Sequence, residues 1–375
     1  MRLSDVQHQD VAVDRLRRAL KSRRVPHAYL FTGPAGVGKE MLATRLGQLL
    51  LCSGAEPASG VREEACNKCE DCVLFAAGNH PDFHRIHRAL NKLHPDKTIQ
   101  RRKAIDLGVE IIRHFVLDRI ALSPSRGQAK VFVISDADRM NAASQNALLK
   151  TLEEPPGHSY LILLAAAADQ LLPTTRSRCQ QIPFGTLPDE FIQESLTARN
   201  LAPDHAQFIT QLSQGSLGQA LRQAEMKLYE RTDEVLAAIK DAQNDPLAAG
   251  KSLMDLSKEL SSDAKNRDDE DESDSEGERG TTKGTREAQA LVIAMVSTVL
   301  RDMQRSAVGL PPLASPNRPS IAESRASAQS IGRVIRTMGL SEYQIEQNAN
   351  TSLVFDEIGI ALGSAFPSNQ LESAQ

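Results

Sequence analysis

Apolar residues first recur at helical spacing over 9–23, where Val11, Val13, Leu16 and Leu20 share one side and Arg and Lys occupy the rest. After Pro26 the run HAYLFTG has the short, β-rich character of a strand, and EMLATRLGQLLL, Glu40 to Leu51, returns to a helical pattern. A second strand of the buried parallel type is expected at Val131 to Ile134 within KVFVISDADRM. NAASQNALLKTLEEPP then reads as a helix, capped by Asn141 and stopped before Pro155 and Pro156. A third apolar run, YLILLAAAA, covers Tyr160 to Ala168. Strands alternating with helices imply a parallel α/β sheet with right-handed crossovers.

From about residue 186 the pattern is helical throughout, with segments at 188–199, 204–213 and 216–229 and another beginning over 232–260. The stretch SSDAKNRDDEDESDSEGERGTTKGTRE, 261–287, carries almost no apolar residues around a dense acidic centre. Such a segment buries too little surface to offset its ordering entropy, so a disordered acidic insertion is expected there. Helical pattern resumes at AQALVIAMVSTVLRDMQ, is broken by GLPPLASPNRPS, and continues afterwards. The expected organisation is an α/β domain over 1–185, a small helical domain over 186–230 and a second helical domain over 231–375.

The chain has 375 residues, enough for two or three domains, and its 41% hydrophobic content is globular. Aromatics are 4% with no Trp, which argues against broad base-stacking platforms. A net charge of −4 argues against a wholly basic nucleic-acid binder. The start, MRLSDVQHQDVAVDRLRRAL, lacks the apolar stretch of a signal peptide, and no run of about 18 apolar residues occurs. The expectation is a soluble cytoplasmic protein with no membrane partner.

Four of the five cysteines fall close together: Cys52, then Cys66, Cys69 and Cys72 in CNKCEDC. Four thiolates at this spacing suit a closed, tetrahedral, structural Zn²⁺ site over 52–72. Disulfides and an iron–sulfur cluster are the competing uses. Cys179 stands apart and reads as an ordinary buried thiol.

The eight residues GPAGVGKE, Gly33 to Glu40, nearly complete the phosphate-loop pattern G-x-x-x-x-G-K-[ST]. Gly33, Gly36 and Gly38 can present backbone N–H groups to phosphate, and Lys39 can reach a β- or γ-phosphate. Glu40 replaces the hydroxyl that would hold magnesium, setting a carboxylate beside a polyanion. Strand, glycine loop and helix in succession lift the match above a bare pattern.

HAYLFTGPAGVGK, a four-cysteine insertion after the next helix, SQNALLKTLEEPP and TTRSRC, in that order over about residues 1–230, resemble the bacterial clamp-loader ATPases. These are the AAA+ subunits of the DNA polymerase III holoenzyme, and IEQNANTSLVFDEIGIAL, 345–362, is more weakly similar to their last helices. The resemblance implies an AAA+ P-loop domain with a zinc module, a helical lid and an all-α collar that holds subunits in a ring. One branch of the family, gamma/tau, hydrolyses ATP; the delta-prime branch often does not.

Measured against the active branch, the catalytic positions depart together. The Asp-Glu pair after the Walker B strand matches Ser135-Asp136 here, so a metal-holding charge is lost and Asp136 is one methylene short for activating water. Asp138 is a nearby substitute, and the competing reading is that Asp136 and Asp138 cap a turn. Ala166 and Ala167 occupy the region of a polar γ-phosphate sensor, and Gly218 stands where active relatives carry an Arg. The resemblance therefore implies weak or absent ATP and magnesium binding and no ATPase of its own.

Ser177-Arg178-Cys179 matches the family's SRC motif, which implies that Arg178 is an arginine finger acting on a neighbour's ATP. A local ion pair for Arg178 is the competing reading, and Arg176 is an adjacent candidate. Asn146 and Lys150 face either DNA or solvent. The implied partners are gamma/tau and delta subunits in a hetero-pentamer, with the sliding clamp and primed DNA reached through the complex. An active gamma/tau-type ATPase using Glu40 and Asp136 in unusual roles is the alternative.

Overall fold

The computed structural model describes residues 3–54, 63–102, 106–126, 129–271, 281–315, 326–347 and 349–366. It falls into two compact units, Met1–Leu187 and Pro188–Gln375.

The first unit is built on a parallel sheet. Its strands are β1 (Ala28–Thr32), β2 (Phe83–Ile86), β3 (Lys130–Ile134), β4 (Ser159–Ala165) and β5 (Gln180–Pro183), in the spatial order β2-β3-β4-β1-β5. This is the parallel α/β sheet that the alternation of strands and helices leads one to expect. The central strands are buried on both faces, which explains their unbroken apolar runs: every residue of β3 is buried. Leu30, Phe132, Ile134, Leu161 and Leu163 are buried to 0% exposure in one core, each such side chain worth roughly 1.5–3 kcal/mol. The strand expected over 160–168 ends at Ala165. The edge strands FHRI and QQIP carry no apolar run, and pairing to β3 and β1 makes them strands.

Helices α1 (Asp10–Lys21), α2 (Lys39–Leu51) and α4 (Ala142–Glu153) follow the sequence pattern, and a short helix α3 (Glu70–Ala76), not expected from that pattern, follows Cys69. Asn141 caps α4 by accepting a hydrogen bond from the Ser144 N–H at 2.9 Å. A further helical stretch, Val109–Ile120, contains a π turn at Arg113–Leu117 and supplies Ile111, Ile112, Phe115 and Val116 to the core.

In the second unit the described elements are all helical: α5 (Asp189–Thr197), α6 (Pro203–Leu212), α7 (Leu217–Glu225), α8 (Thr232–Asp241), α9 (Pro246–Asp271), α10 (Thr281–Ala307), α11 (Ala328–Glu346) and α12 (Thr351–Ala365). The segment expected to be disordered over 261–287 is corrected at both ends. Helix α9 continues to Asp271 and α10 begins at Thr281, while 272–280 lie outside the described residues. The physical reason is packing at the base of the pair, where buried Ser261 meets the Thr285 hydroxyl at 3.2 Å. After α10, the buried Asp302 carboxylate accepts the Leu313, Ala314 and Ser315 N–H groups at 2.7–3.1 Å and fixes the proline-rich loop that follows.

Helices α9 and α12 touch backbone to backbone. A Cβ on Gly359 would lie 2.0 Å from the Pro246 carbonyl oxygen, and one on Gly250 would lie 2.3 Å from that of Phe355. Alanine normally favours a helix over glycine by about 1 kcal/mol, so the sign of Gly359→Ala is diagnostic. Thermal unfolding is expected to show destabilisation of roughly 1–3 kcal/mol from overpacking; an unchanged or raised midpoint would mean the helices are not held this closely.

Candidate functional site

The glycine loop leaves β1 with three glycines in the left half of φ space: Gly33 at 143°, Gly36 at 72° and Gly38 at 104°. Gly33 is obligatory for a second reason, because a Cβ there would lie 2.4 Å from the Phe184 carbonyl oxygen. Buried Gln9 fastens the loop by donating to the carbonyls of Val37 at 3.2 Å and Gly185 at 2.9 Å. The N-terminus of α2, a thirteen-residue helix, has no side-chain cap at Gly38, so its positive end keeps the character of an anion cradle.

Lys39 is turned back onto that cradle. Its ammonium donates to the Gly33 carbonyl and, at 2.6 Å, to the Pro34 carbonyl. Burial pushes its pKa down, and the carboxylates of Asp138 and Asp136 offset part of that shift. Glu40 points outward with its side chain 56% exposed, 3.9 Å from the Arg85 guanidinium.

Parallel register carries the other sequence-predicted positions to the same edge of the sheet. Strand β4 lies between β1 and β3, with Thr32 opposite Ala165 and Ile134 opposite Leu163. The Gly33 N–H donates to the Ala165 carbonyl at 3.3 Å, and the Ala166 N–H donates to Asp138 at 3.3 Å. The glycine loop, the acidic turn and the residues after β4 are thus contiguous. Ser135 donates its backbone N–H to the Ile86 carbonyl at 2.9 Å. Asp136 follows in the left-handed conformation, φ 53°, and accepts the Arg88 guanidinium at 2.9 Å and 3.1 Å. Ala166 and Ala167 bring no polar side chain to this edge. Gly218 lies on α7 in the second unit.

Arg178 ends the turn between β4 and β5. Its guanidinium donates to Glu153 through Nε at 2.7 Å and through a second nitrogen, and to the Thr174 carbonyl at 2.9 Å. The turn is shaped from beneath by buried Gln145, whose Oε1 accepts the Leu172 N–H at 2.8 Å and the Thr175 hydroxyl at 3.3 Å. Cys179 is buried beside it, its thiol pushed up to about 12 by burial. Asn146 and Lys150 are both exposed on α4.

The four clustered cysteines converge. Their sulfurs lie within 4.8 Å of one another, with Cys52–Cys69 and Cys66–Cys72 each separated by 3.9 Å. A tetrahedral ion with metal–sulfur bonds of about 2.3 Å requires sulfur–sulfur edges of about 3.8 Å. All four are free thiols, so the disulfide alternative does not apply. Backbone N–H groups of Cys66, Cys69 and Cys72 point at neighbouring sulfurs at 3.3–3.4 Å, as anionic thiolates favour. Burial raises the Cys69 pKa, but hydrogen bonds from Cys72 and Ser53 outweigh it and bring the thiol down to about 6. Gly54 completes the cradle: a Cβ there would press to 2.6 Å on the Cys66 sulfur. The donor set fits a metal ion with no position left open for substrate.

This knuckle is tied to the sheet. Arg126 donates to buried Asp71 at 2.8 Å and to Glu70 at 2.6 Å, both on α3. Asp82, ahead of β2, accepts the Ser125 and Arg126 N–H groups at 2.7 and 2.8 Å.

A family model described as "DNA polymerase III, delta subunit" matches residues 8–188. The chain is 34% identical over 226 residues to DNA polymerase III subunit delta' of Pseudomonas aeruginosa, covering 60% of this chain and 63% of that one. It is 30% identical over 200 residues to subunit delta' of Bacillus subtilis, covering 53% and 54%. Subunit tau of Escherichia coli is 32% identical over 224 residues, covering 58% of this chain and 32% of tau. Over roughly its first half the chain is thus similar to the delta' and tau subunits of DNA polymerase III. It spans less than two thirds of the length of these relatives.

Three side chains escaped the sequence reading: Arg88, which faces Asp136; Gln145, which holds the Arg178 turn; and Glu153, which receives Arg178. Gln145 and Glu153 were accessible in principle, since both lie in SQNALLKTLEEPP. Among the described residues, no helix is long and apolar enough to cross a membrane. For the cysteine cluster, elemental analysis of the purified protein is expected to find about one tightly held metal ion per chain. Cys69→Ala should abolish that stoichiometry and lower the thermal midpoint; metal-free protein of full stability would remove the metal assignment.

Proposed function

We propose that this chain is an ATPase-inactive, delta-prime-like subunit of a DNA polymerase III clamp loader. In this role it holds a structural Zn²⁺ on Cys52, Cys66, Cys69 and Cys72 and lends Arg178 to a neighbouring gamma/tau site. The observation that carries the reading is the phosphate loop itself. Lys39 is satisfied by loop carbonyls, a carboxylate replaces the hydroxyl at position 40, and the acidic turn beside it is already paired with an arginine. Metal ligation, water activation and charge stabilisation all depend on groups that are absent or occupied here. The alternative, an active gamma/tau-type ATPase, needs Asp136 released from Arg88 and Glu40 turned inward.

The pairing of Arg178 with Glu153 is compatible with the finger role. Their side chains are 32% and 50% exposed, and exposed ion pairs contribute about 0–1 kcal/mol. A guanidinium placed on a γ-phosphate in trans is worth about 10³–10⁵ in rate, so release from Glu153 costs little beside the transition-state stabilisation the finger supplies. Arg176 lies on the same turn but has no place in the motif. In this reading the lid spans 186–230 and the collar 231–375; the second compact unit begins at Pro188. Large apolar side chains are exposed on its last helices, Leu340 and Tyr343 on α11 and Leu353 and Ile360 on α12. Such surface suits a ring of five subunits with gamma/tau and delta. The assembled ring would place the sliding clamp on primed DNA, with Lys150 and other basic groups touching the phosphate backbone only.

In a reconstituted ring, Arg178→Ala is expected to lower ATP turnover at one neighbouring site by at least about a hundredfold while assembly is retained. Glu153→Gln, which frees Arg178 without removing it, should leave that turnover intact or raised. Loss of assembly in the Arg178 variant, with unaltered turnover in rings that do form, would make the Glu153 pair purely structural.

A further inference from the structure

Two acids border the degenerate loop, and each has a guanidinium from the end of β2. Arg85, on the strand, approaches Glu40 at 3.9 Å. Arg88, at the start of the turn Arg88–Leu93, grips Asp136 through two nitrogens at 2.9 Å and 3.1 Å, with only 17% of its side chain exposed. Asp136 stands in the left-handed region, φ 53°, at the turn that this guanidinium faces. The end of β2 is itself fixed to the acidic turn, because Ile86 accepts the Ser135 N–H at 2.9 Å. Backbone and side chain together therefore aim Arg88 at the carboxylate that a metal-dependent pocket would leave open.

We propose that Arg88 is a built-in counter-cation that takes the place of magnesium at the acidic turn after β3, so that this pocket is metal-independent by construction. An arginine suits the task because its guanidinium stays charged at every accessible pH and binds a carboxylate through a planar fork. A divalent ion approaching Asp136 must first displace a fixed positive charge in contact with it, and like charges at such separations repel strongly. Asp138 is engaged separately by the Ala166 N–H. The inference rests on reading the loop as a degenerate nucleotide pocket, and it explains how the residual acids are neutralised once catalysis is lost.

The test is Mn²⁺ binding, followed by electron paramagnetic resonance of the free ion, on the full chain with its cysteine site metal-loaded. The wild-type protein is expected to show no saturable site at this turn, whereas Arg88→Ala gains Mn²⁺ affinity by at least about tenfold. The gain should vanish in Arg88→Ala combined with Asp136→Asn, and Mg²⁺ should raise the thermal midpoint of the single variant only. Arg88→Gln, which keeps the side-chain stem packed, is measured in parallel so that unfolding of the alanine variant does not decide the matter. No gain of affinity in either folded variant overturns the proposal, as does a wild-type site at Asp136 of equal affinity. Turnover of Mg-ATP by the wild-type chain would overturn the inactive reading, a different result from failure of Arg88 variants to bind metal.

Discussion

Side-by-side parallel pairing of β3, β4 and β1 is the constraint on which the rest of the first unit depends. It brings the glycine loop, the acidic turn and the residues after β4 to one edge, close enough for Gly33 to bond Ala165 and for Ala166 to bond Asp138. The pairing is stable because the three strands are buried on both faces, and it leaves the chemistry to whatever side chains the turns carry. Glycine at position 33 is the tightest consequence, since the carbonyl of Phe184 occupies the space of any side chain. The cradle is therefore retained by packing, independently of whether a nucleotide uses it.

What the turns carry is a set of charges satisfied within the chain. Lys39 bonds loop carbonyls, Asp136 bonds Arg88, and Glu40 faces solvent near Arg85. An active pocket holds such groups unsatisfied until substrate and metal arrive, which is what makes their electrostatic contribution to a transition state large. Here the stabilisation is already taken up in the folded chain. Arg178 differs: its partner Glu153 is half exposed, on a turn shaped by the buried Gln145 amide. The same division runs through the cysteine module, whose sulfurs converge around a closed site while Asp71, Arg126 and Asp82 lock it to the sheet.

Much of this was legible in the residues. Unbroken apolar runs marked β1, β3 and β4 because burial on both faces leaves no polar alternation, and the Asn141 cap was visible as a turn residue before a helical run. Cysteine spacing gave the convergent sulfurs directly, because a tetrahedral site imposes its own geometry on short loops. Strands β2 and β5 were not legible, since FHRI and QQIP become strands only through edge pairing. Nor was the Arg88–Asp136 contact, which joins residues forty-eight apart through the register of β2 against β3. The acidic segment misled at its ends for the opposite reason: its composition reads as disorder, whereas packing around Ser261 carries helix into it from both sides.

The central claim is that the chain keeps the shape of a phosphate cradle without the chemistry. Equilibrium binding of Mg-ATP to the purified chain, followed by single- and multiple-turnover hydrolysis on the same samples, addresses it most directly. The expected result is weak or undetectable binding and no turnover above the uncatalysed rate. Tight, magnesium-dependent binding with repeated turnover, abolished by Lys39→Ala, would contradict it and return the chain to the ATP-hydrolysing branch of the clamp-loader subunits.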